Sequence, residues 1–419
     1  MWQYNYCHWH CIVGRSSANS RLSQPKGKKT MRLDKIGFLL LVIFVSISFQ
    51  SLAAADVFRA TRRTTTNYSK LLPQLQVVGQ KIFYLWQEQD AESKWQIWTA
   101  VMNTDGTDWH AVKRTSGAFD KQTPQFQVVG SKIYFGWSED DGDNCQIWTA
   151  VMNTDGTGWT STKRTSTAYD KDYPQLQVVG STIYFVWSEL NVPNSQIWTA
   201  EMSISGTGWS ATRRTSTTSF KFIPQLHVDL DKIYYVWSED DGSHSQIWTA
   251  VMNTNGTGWA ATQRTFSSYD KRVPQLQVYD SKIYYVWQEN DGTYKQLCLA
   301  RMNTDCTGWE NLGMSESAHD KSSPQMQVVD NKIFLVWSED EVSYSQIYTA
   351  TIDFSVAKSR ANVRKRTSSH FHKAFPQLQL SDRRIYYVWS EDDGSNYQIW
   401  TAVSSPFTPG ATNLLLLND

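Results

Sequence analysis

From residue 72 to residue 403 the chain is a succession of short runs in which apolar and polar residues alternate, cut at regular intervals by turns carrying Gly or Asp. In one representative block the runs are 125–129, 132–139, 146–153 and 159–165, rich in the β-branched and aromatic residues that suit a pleated surface. Gly130-Ser131, Asp140-Asp141-Gly142 and Thr154-Asp155-Gly156 lie between them and supply the backbone conformations that tight hairpins need. No stretch of the block keeps a helical period. The pattern predicts four short antiparallel strands per block.

The block recurs seven times, opening at Pro73, Pro124, Pro174, Pro224, Pro274, Pro324 and Pro376. Repeats of that length are single supersecondary units, stacked in a line or arranged in a ring. The ends of the array favour a ring. The seventh unit stops after its third strand, and the missing fourth is matched at the other end of the chain by Phe58-Arg59-Ala60-Thr61-Arg62-Arg63-Thr64. Pairing of that segment with the last unit would leave no blade incomplete. The expected fold is all-β: a seven-bladed β-propeller of four-stranded antiparallel blades, closed by its N-terminal strand. Leu414 to Leu417 is the competing closing strand.

Seventeen of the twenty tryptophans fall at three fixed places in the repeat, one of them filled in every unit. Packing between blades is the default explanation for such rings.

The N-terminus has the layout of an exported chain. Charged residues 31–35 precede an apolar run from Ile36 to Phe49 and a small-residue stretch ending at Ala55. This reads as a cleaved signal peptide, too short and wrongly flanked for a membrane span, with a mature chain from Asp56 that is secreted or periplasmic. The expected organisation is therefore 1–30 an over-extended start, 31–55 the signal, 56–403 the propeller and 404–419 a tail. Cys7-His8-Trp9-His10-Cys11 precedes the signal and lacks a second ligand pair, so no metal site is expected there. Residues 1–55 hold seven Lys or Arg and one acid, so the remainder carries a net charge of −6, which argues against nucleic acid as a partner. Three cysteines in that remainder do not make a disulfide scaffold; Cys298 and Cys306 read as free thiols.

Strand alternation puts the second-to-third loops and the blade-to-blade connections on one face. Glu88, Glu139, Glu189, Glu239, Glu289, Glu339 and Glu391 recur there, as do Lys70, Lys121, Lys171, Lys221, Lys271, Lys321 and Lys373. An arginine recurs at Arg63, Arg114, Arg164, Arg214, Arg264 and Arg366, with Met314 as the exception. One reading is a ring of ion pairs tying neighbouring blades together. The other is a set of equivalent ligand pockets, in which aromatic faces stack on sugars and carboxylates accept hydroxyl hydrogen bonds. The candidate ligand residues on that reading are Trp86 with Glu88, Trp137 with Glu139, Tyr169 with Lys171, Trp187 with Glu189, Trp237 with Glu239, Trp287 with Glu289, Trp337 with Glu339 and Trp389 with Glu391. The paired glutamines such as Gln74 and Gln76 read as inter-blade hydrogen-bonding groups. The acids at 140–143 invite calcium, but the third unit has Leu190-Asn191-Val192-Pro193 there, and a hairpin turn explains them better.

The order Lys-Arg-Thr, acidic connection, Pro, Gly-Ser-Lys-Ile-Tyr-Phe, Asp-Gly, Gln-Ile-Trp-Thr-Ala, Asp-Gly resembles the WD40-like repeat of TolB-type periplasmic propellers over nearly all of residues 57–403. That resemblance implies a blade fold and a protein-interaction surface in the cell envelope. The Asn-Thr-Asp-Gly-Thr-Gly-Trp turn also resembles the Asp-box of sialidase-type propellers, with an Asp-to-Trp spacing, as in Asp155 to Trp159, one residue shorter. Catalysis needs different residues in different roles at one locus, and here nearly every polar group is duplicated around the ring. The expectation is thus a monomeric, non-enzymatic, cofactor-free propeller that binds carbohydrate at repeated equivalent sites. The alternatives are an envelope-protein scaffold and a sialidase-like glycoside hydrolase.

Overall fold

The computed structural model describes residues 58–191, 193–354 and 361–406. The signal segment, the 7–11 cluster and Leu414 to Leu417 lie outside them. Blade 1 consists of Lys70–Val78, Lys81–Gln89, Trp95–Asn103 and His110–Lys113, running from the centre outward in chain order. Five further blades repeat this order. In blade 7, Lys373–Ser381, Arg384–Asp392 and Tyr397–Val403 are completed by Arg59–Arg62 as the outer strand. Arg59 faces Val403 and Arg62 faces Trp400, so the N-terminal strand closes the ring. Among the described residues no helix is long and apolar enough to cross a membrane.

The core lies between blades. A representative cluster joins Val77, Ile82, Tyr84 and Trp86 of blade 1 to Tyr386, Val388 and Ile399 of blade 7. Within blade 1, Trp86 stacks on Trp98 and on Trp109, at 6.2 and 6.1 Å between ring centroids. The same triple stack forms around Trp137, Trp187 and Trp237. Three separate tryptophan columns in the sequence are thus one ladder in each of blades 1 to 4. Burying one such ring contributes on the order of 4–6 kcal/mol before entropy is subtracted.

Two devices bolt neighbouring blades together. The Arg214 guanidinium of blade 3 donates to Thr199 Oγ1 at 2.7 Å in its own blade and to the Gly256 carbonyl of blade 4 at 3.2 Å, and lies over the blade 4 Trp259 ring. Nearer the axis, Gln76 Oε1 accepts from the Val128 amide at 2.6 Å, and Gln127, Gln177 and Gln277 repeat the clamp onto Val178, Val228 and Val328. In blade 4, His227 stands at this place, and burial holds its imidazole below the usual range. The second glutamine of each pair thus acts as expected, whereas Gln74, the first, lines the channel cavity. The predicted inter-blade role of the Glu and Lys rings needs correcting, because Lys70 faces Glu88 across the first two strands of a single blade, and the six other pairs do the same. Arginine and glutamine, not the Glu–Lys pairs, make the clamps described here between blades.

Candidate functional site

The repeated residues expected to contact ligand are mostly inside the blades. Trp86, Trp137, Trp187, Trp237, Trp287, Trp337 and Trp389 are all buried, each no more than 3 % exposed. Six of the seven indole N–H groups are spent on carboxylates: Trp86 donates to Glu88, Trp137 to Glu139, Trp237 to Glu239, Trp287 to Glu289, Trp337 to Glu339 and Trp389 to Glu391, at 2.8 to 3.0 Å. Glu189 lies 3.8 Å from Lys171, and the other pairs are 3.3 to 3.7 Å apart. An indole stacked on both faces and bonded at its nitrogen has no surface left for a sugar. Of the expected ligand residues, Tyr169 stands exposed, at 41 %.

The buried pairs nevertheless shape the surface above them. Lys221 donates to the Ser219 carbonyl at 2.9 Å and Lys271 to the Tyr269 carbonyl at 2.8 Å, and Lys70, Lys121 and Lys171 likewise reach the carbonyl two residues back. Burial pulls Lys70, Lys171, Lys221, Lys321 and Lys373 below the usual lysine range, opposed by the charge of the facing glutamate. The carbonyl that each lysine grips belongs, in five blades, to an aromatic residue. Tyr68, Phe119, Tyr169, Tyr269 and Phe371 form a crown on this face, each 37 to 41 % exposed. The rings of Phe119 and Tyr269 lie against Gly142 and Gly292 of their own blades, where a Cβ would come within 3.3 Å and 3.2 Å of them. Glycine at those turns lets the aromatic ring lie down.

The acids of the neighbouring turns are engaged. Asp140 Oδ1 accepts from the Gly142 amide, and Asp141 Oδ1 from the Asn144 amide, at 2.8 and 2.9 Å. Lys163 pairs with Asp141 at 2.7 Å. Burial opposes the shift, but these hydrogen bonds hold the Asp141 carboxyl down to about 2. Among the described residues no group of three or more His, Cys, Asp or Glu could hold a metal ion.

The inner strands surround a central channel, whose middle holds a cavity of about 330 Å³ lined by Gln74, Gln76, Gln127, Gln177, Gln327 and Gln379 among others. At the mouth of the channel nearer the crown, where each inner strand begins, the strand bulges around its proline, between Leu71 and Gln74 in blade 1 and at the equivalent place in the other six. The residue preceding each proline, namely Leu72, Thr123, Tyr173, Ile223, Val273, Ser323 and Phe375, has φ between 49° and 55°. Left-handed backbone is costly for such side chains, above all for β-branched Thr123, Ile223 and Val273. A signal in the sequence marks this place. Between the invariant Lys and Pro of the repeat stand Leu-Leu, Gln-Thr, Asp-Tyr, Phe-Ile, Arg-Val, Ser-Ser and Ala-Phe, so neither column uses a residue twice.

The fold and this face define a β-propeller with one differentiated channel mouth. No family model matches the chain, so the TolB-type resemblance gains no support there, and no curated protein matches either. Similar solved structures include an ulvan lyase bound to a GlcA–Rha3S saccharide, at a TM-score of 0.58 and 10% identity over 81% of this chain and 95% of that one. The phage phi92 endosialidase is similar at 0.53 and 12% identity, over 84% of this chain and 70% of that one. The β-propeller domain of a Pyrococcus furiosus protease is similar at 0.50 and 10% identity, over 83% and 98%. At these identities the likeness is one of fold, and at that level the resemblance to sialidase-type propellers holds.

The expectation of a non-enzyme is corrected by these findings. Propellers of this fold include enzymes that process glycans, and the duplication of polar groups that argued against catalysis fails at the channel mouth. Symmetry governs the scaffold of this chain and stops at its centre.

Proposed function

We propose that this chain is a glycan-processing propeller that handles a polysaccharide across the crowned face. The observation that carries the reading is the crown itself: five aromatic side chains, half-exposed and held by buried lysines, surround a channel mouth at which no two blades present the same residues. Aromatic faces of this kind stack on the C–H faces of sugar rings, and several in a row suit a polymer rather than a single sugar. The named activities of the ulvan lyase and the endosialidase lend support from chains of the same fold. Export, as expected from residues 31–55, would bring the protein to extracellular polymers.

The test is to incubate the full chain with a panel of plant, algal, bacterial and animal polysaccharides. Polymer size and new reducing ends are followed together with the ultraviolet-absorbing unsaturated ends that an eliminase leaves. Shortening of at least one polymer, slowed when Phe119 and Tyr169 are both changed to Ala, supports the reading. Intact polymers across the whole panel would overturn it.

A further inference from the structure

The fourteen residues between the repeat's Lys and Pro include one acid and one base, Asp172 in blade 3 and Arg272 in blade 5. Phe222 of blade 4 stands between them at the equivalent position. The Arg272 guanidinium carbon lies 5.5 Å from the centroid of the Phe222 ring, so side chains at this position meet from blade to blade. Asp172 holds the equivalent position in the blade on the other side of Phe222. The Arg272 side chain is 56% exposed, and Asp270, with which it pairs, is 43% exposed and 3.6 Å away. An open pair at that distance is weakly held and leaves the guanidinium available to a better anion.

Free drift does not explain this mouth. A position relieved of constraint at φ near +50° would collect Gly, Asn or Asp, the residues that tolerate left-handed backbone. None of the seven residues before the prolines is one of these, and five of them are β-branched or aromatic in spite of the strain. Strain of this sort persists where surrounding structure holds it, and it clusters at ligand sites.

We infer that Asp172, Phe222 and Arg272 form a single subsite for an anionic sugar, in which the Arg272 guanidinium, braced on the Phe222 ring, pairs with a uronate or sulfate group while Asp172 hydrogen-bonds an adjacent hydroxyl. The inference rests on the proposed glycan-processing role and adds the charge of the substrate and its place. Guanidinium meets carboxylate or sulfate through paired N–H donors, which gives orientation as well as affinity. Burial, with the charge of Asp170 adding, pushes the Asp172 carboxyl up to about 7, so near neutrality it can offer a proton and does not fully repel an incoming anion. The opposite arc of the mouth, Ala374, Phe375, Leu71 and Leu72, carries no charge. A polymer crossing the mouth therefore meets a charged side and an apolar side.

The experiment is calorimetric titration of the full chain with three oligosaccharide probes: oligogalacturonate as the uronate, chondroitin sulfate fragments as the sulfated case, and isomaltooligosaccharide as the neutral case. Arg272→Gln and Asp172→Ala are compared with Ser322→Ala, which changes an equivalent mouth position outside the arc. Near-ultraviolet circular dichroism of the tryptophan ladders verifies that each variant is folded. The expected result is one anionic chain bound per protein, weakened about tenfold or more by R272Q and less by D172A, with S322A unchanged. Uronate or sulfate preference then identifies the anion. Binding of the neutral probe as tightly as the anionic ones, seven equivalent sites, or full affinity in R272Q would overturn the subsite while leaving the glycan-processing reading intact. Binding of none of the probes, with neutral polysaccharide still cleaved, would do the same. If no polysaccharide is bound or cleaved, both fall together.

Discussion

Lys70 Nζ lies 3.5 Å from a carboxylate oxygen of Glu88, and the two side chains are 0% and 4% exposed. The same lysine grips the carbonyl of Tyr68, while the same carboxylate accepts the Trp86 indole N–H at 3.0 Å. A buried charge pair thus links the aromatic ladder inside the blade to the aromatic residue on its surface. Six other blades repeat the pair at distances up to 3.8 Å.

Breaking one such pair should cost much more than replacing it. Glu239→Leu leaves the Lys221 ammonium buried and unpaired, with an expected loss of about 3–5 kcal/mol. Lys221→Met combined with Glu239→Leu should recover most of that loss, because no bare charge remains inside. Urea unfolding of the single and double variants measures the difference. Equal losses in both would show that charge pairing is not what this site contributes.

Removing the centre of a ladder should be severe, and removing its cap mild. Trp237→Ala empties a site that is fully buried, for about 3–5 kcal/mol. Arg214→Ala loses the bonds to Thr199 and Gly256 and the contact with Trp259, for about 1–3 kcal/mol. The same unfolding transitions, followed by tryptophan fluorescence, rank the two.

Ring closure rests on the strand before the first blade. Arg63 N donates to the Ile399 carbonyl at 2.8 Å, and Ile399 N to Thr64 Oγ1 at 2.9 Å. Deleting residues 58–64 exposes an unpaired strand edge on blade 7, so the truncated chain should aggregate and lose its single cooperative transition. Light scattering and calorimetry detect both. A truncated chain that stays monodisperse with an unchanged transition would show that closure lies elsewhere.

Stability should fall as pH rises through the titration of Asp172. Its carboxyl is pushed from 3.8 up to about 7 in the folded protein, mainly by burial and then by Asp170. Between those values the folded state holds a proton that the unfolded chain has released, so folding is favoured at the acid end and that favour is lost by about pH 7. Its other close charges are spent elsewhere: Lys171 is turned inward against Glu189. Ser188 faces Asp172 on the second strand, and Gln122 and Phe222 hold the equivalent positions next door. Asp172→Asn should flatten the dependence of the urea midpoint on pH over this window. An identical slope in the variant would assign the effect to other groups.

Blade number, strand order and the source of the closing strand were legible in the sequence. Each follows from local alternation, turn residues and the spacing of identical blocks. The glutamine clamps were legible too, because polar groups on an innermost strand need partners when they are buried. The direction of Glu88 and its six equivalents was not, since a charged residue beside a turn reads the same whether it faces solvent, the next blade or its own. The tryptophan columns likewise hid their stacking, which depends on two strands pairing in register and on the segment before the outer strand folding onto them.

The sequence by itself determined the scaffold of this protein, because a repeat carries its own periodicity and each unit needs the next to bury its apolar face. Tertiary structure decided which repeated residues remain accessible. It buried the Trp, Glu and Lys sets, left Tyr68, Phe119, Tyr169, Tyr269 and Phe371 half-exposed, and brought seven unlike residue pairs to one mouth. The physical reason is that seven inner strands run side by side around a common axis, so residues some fifty positions apart in the chain become neighbours only when the ring closes.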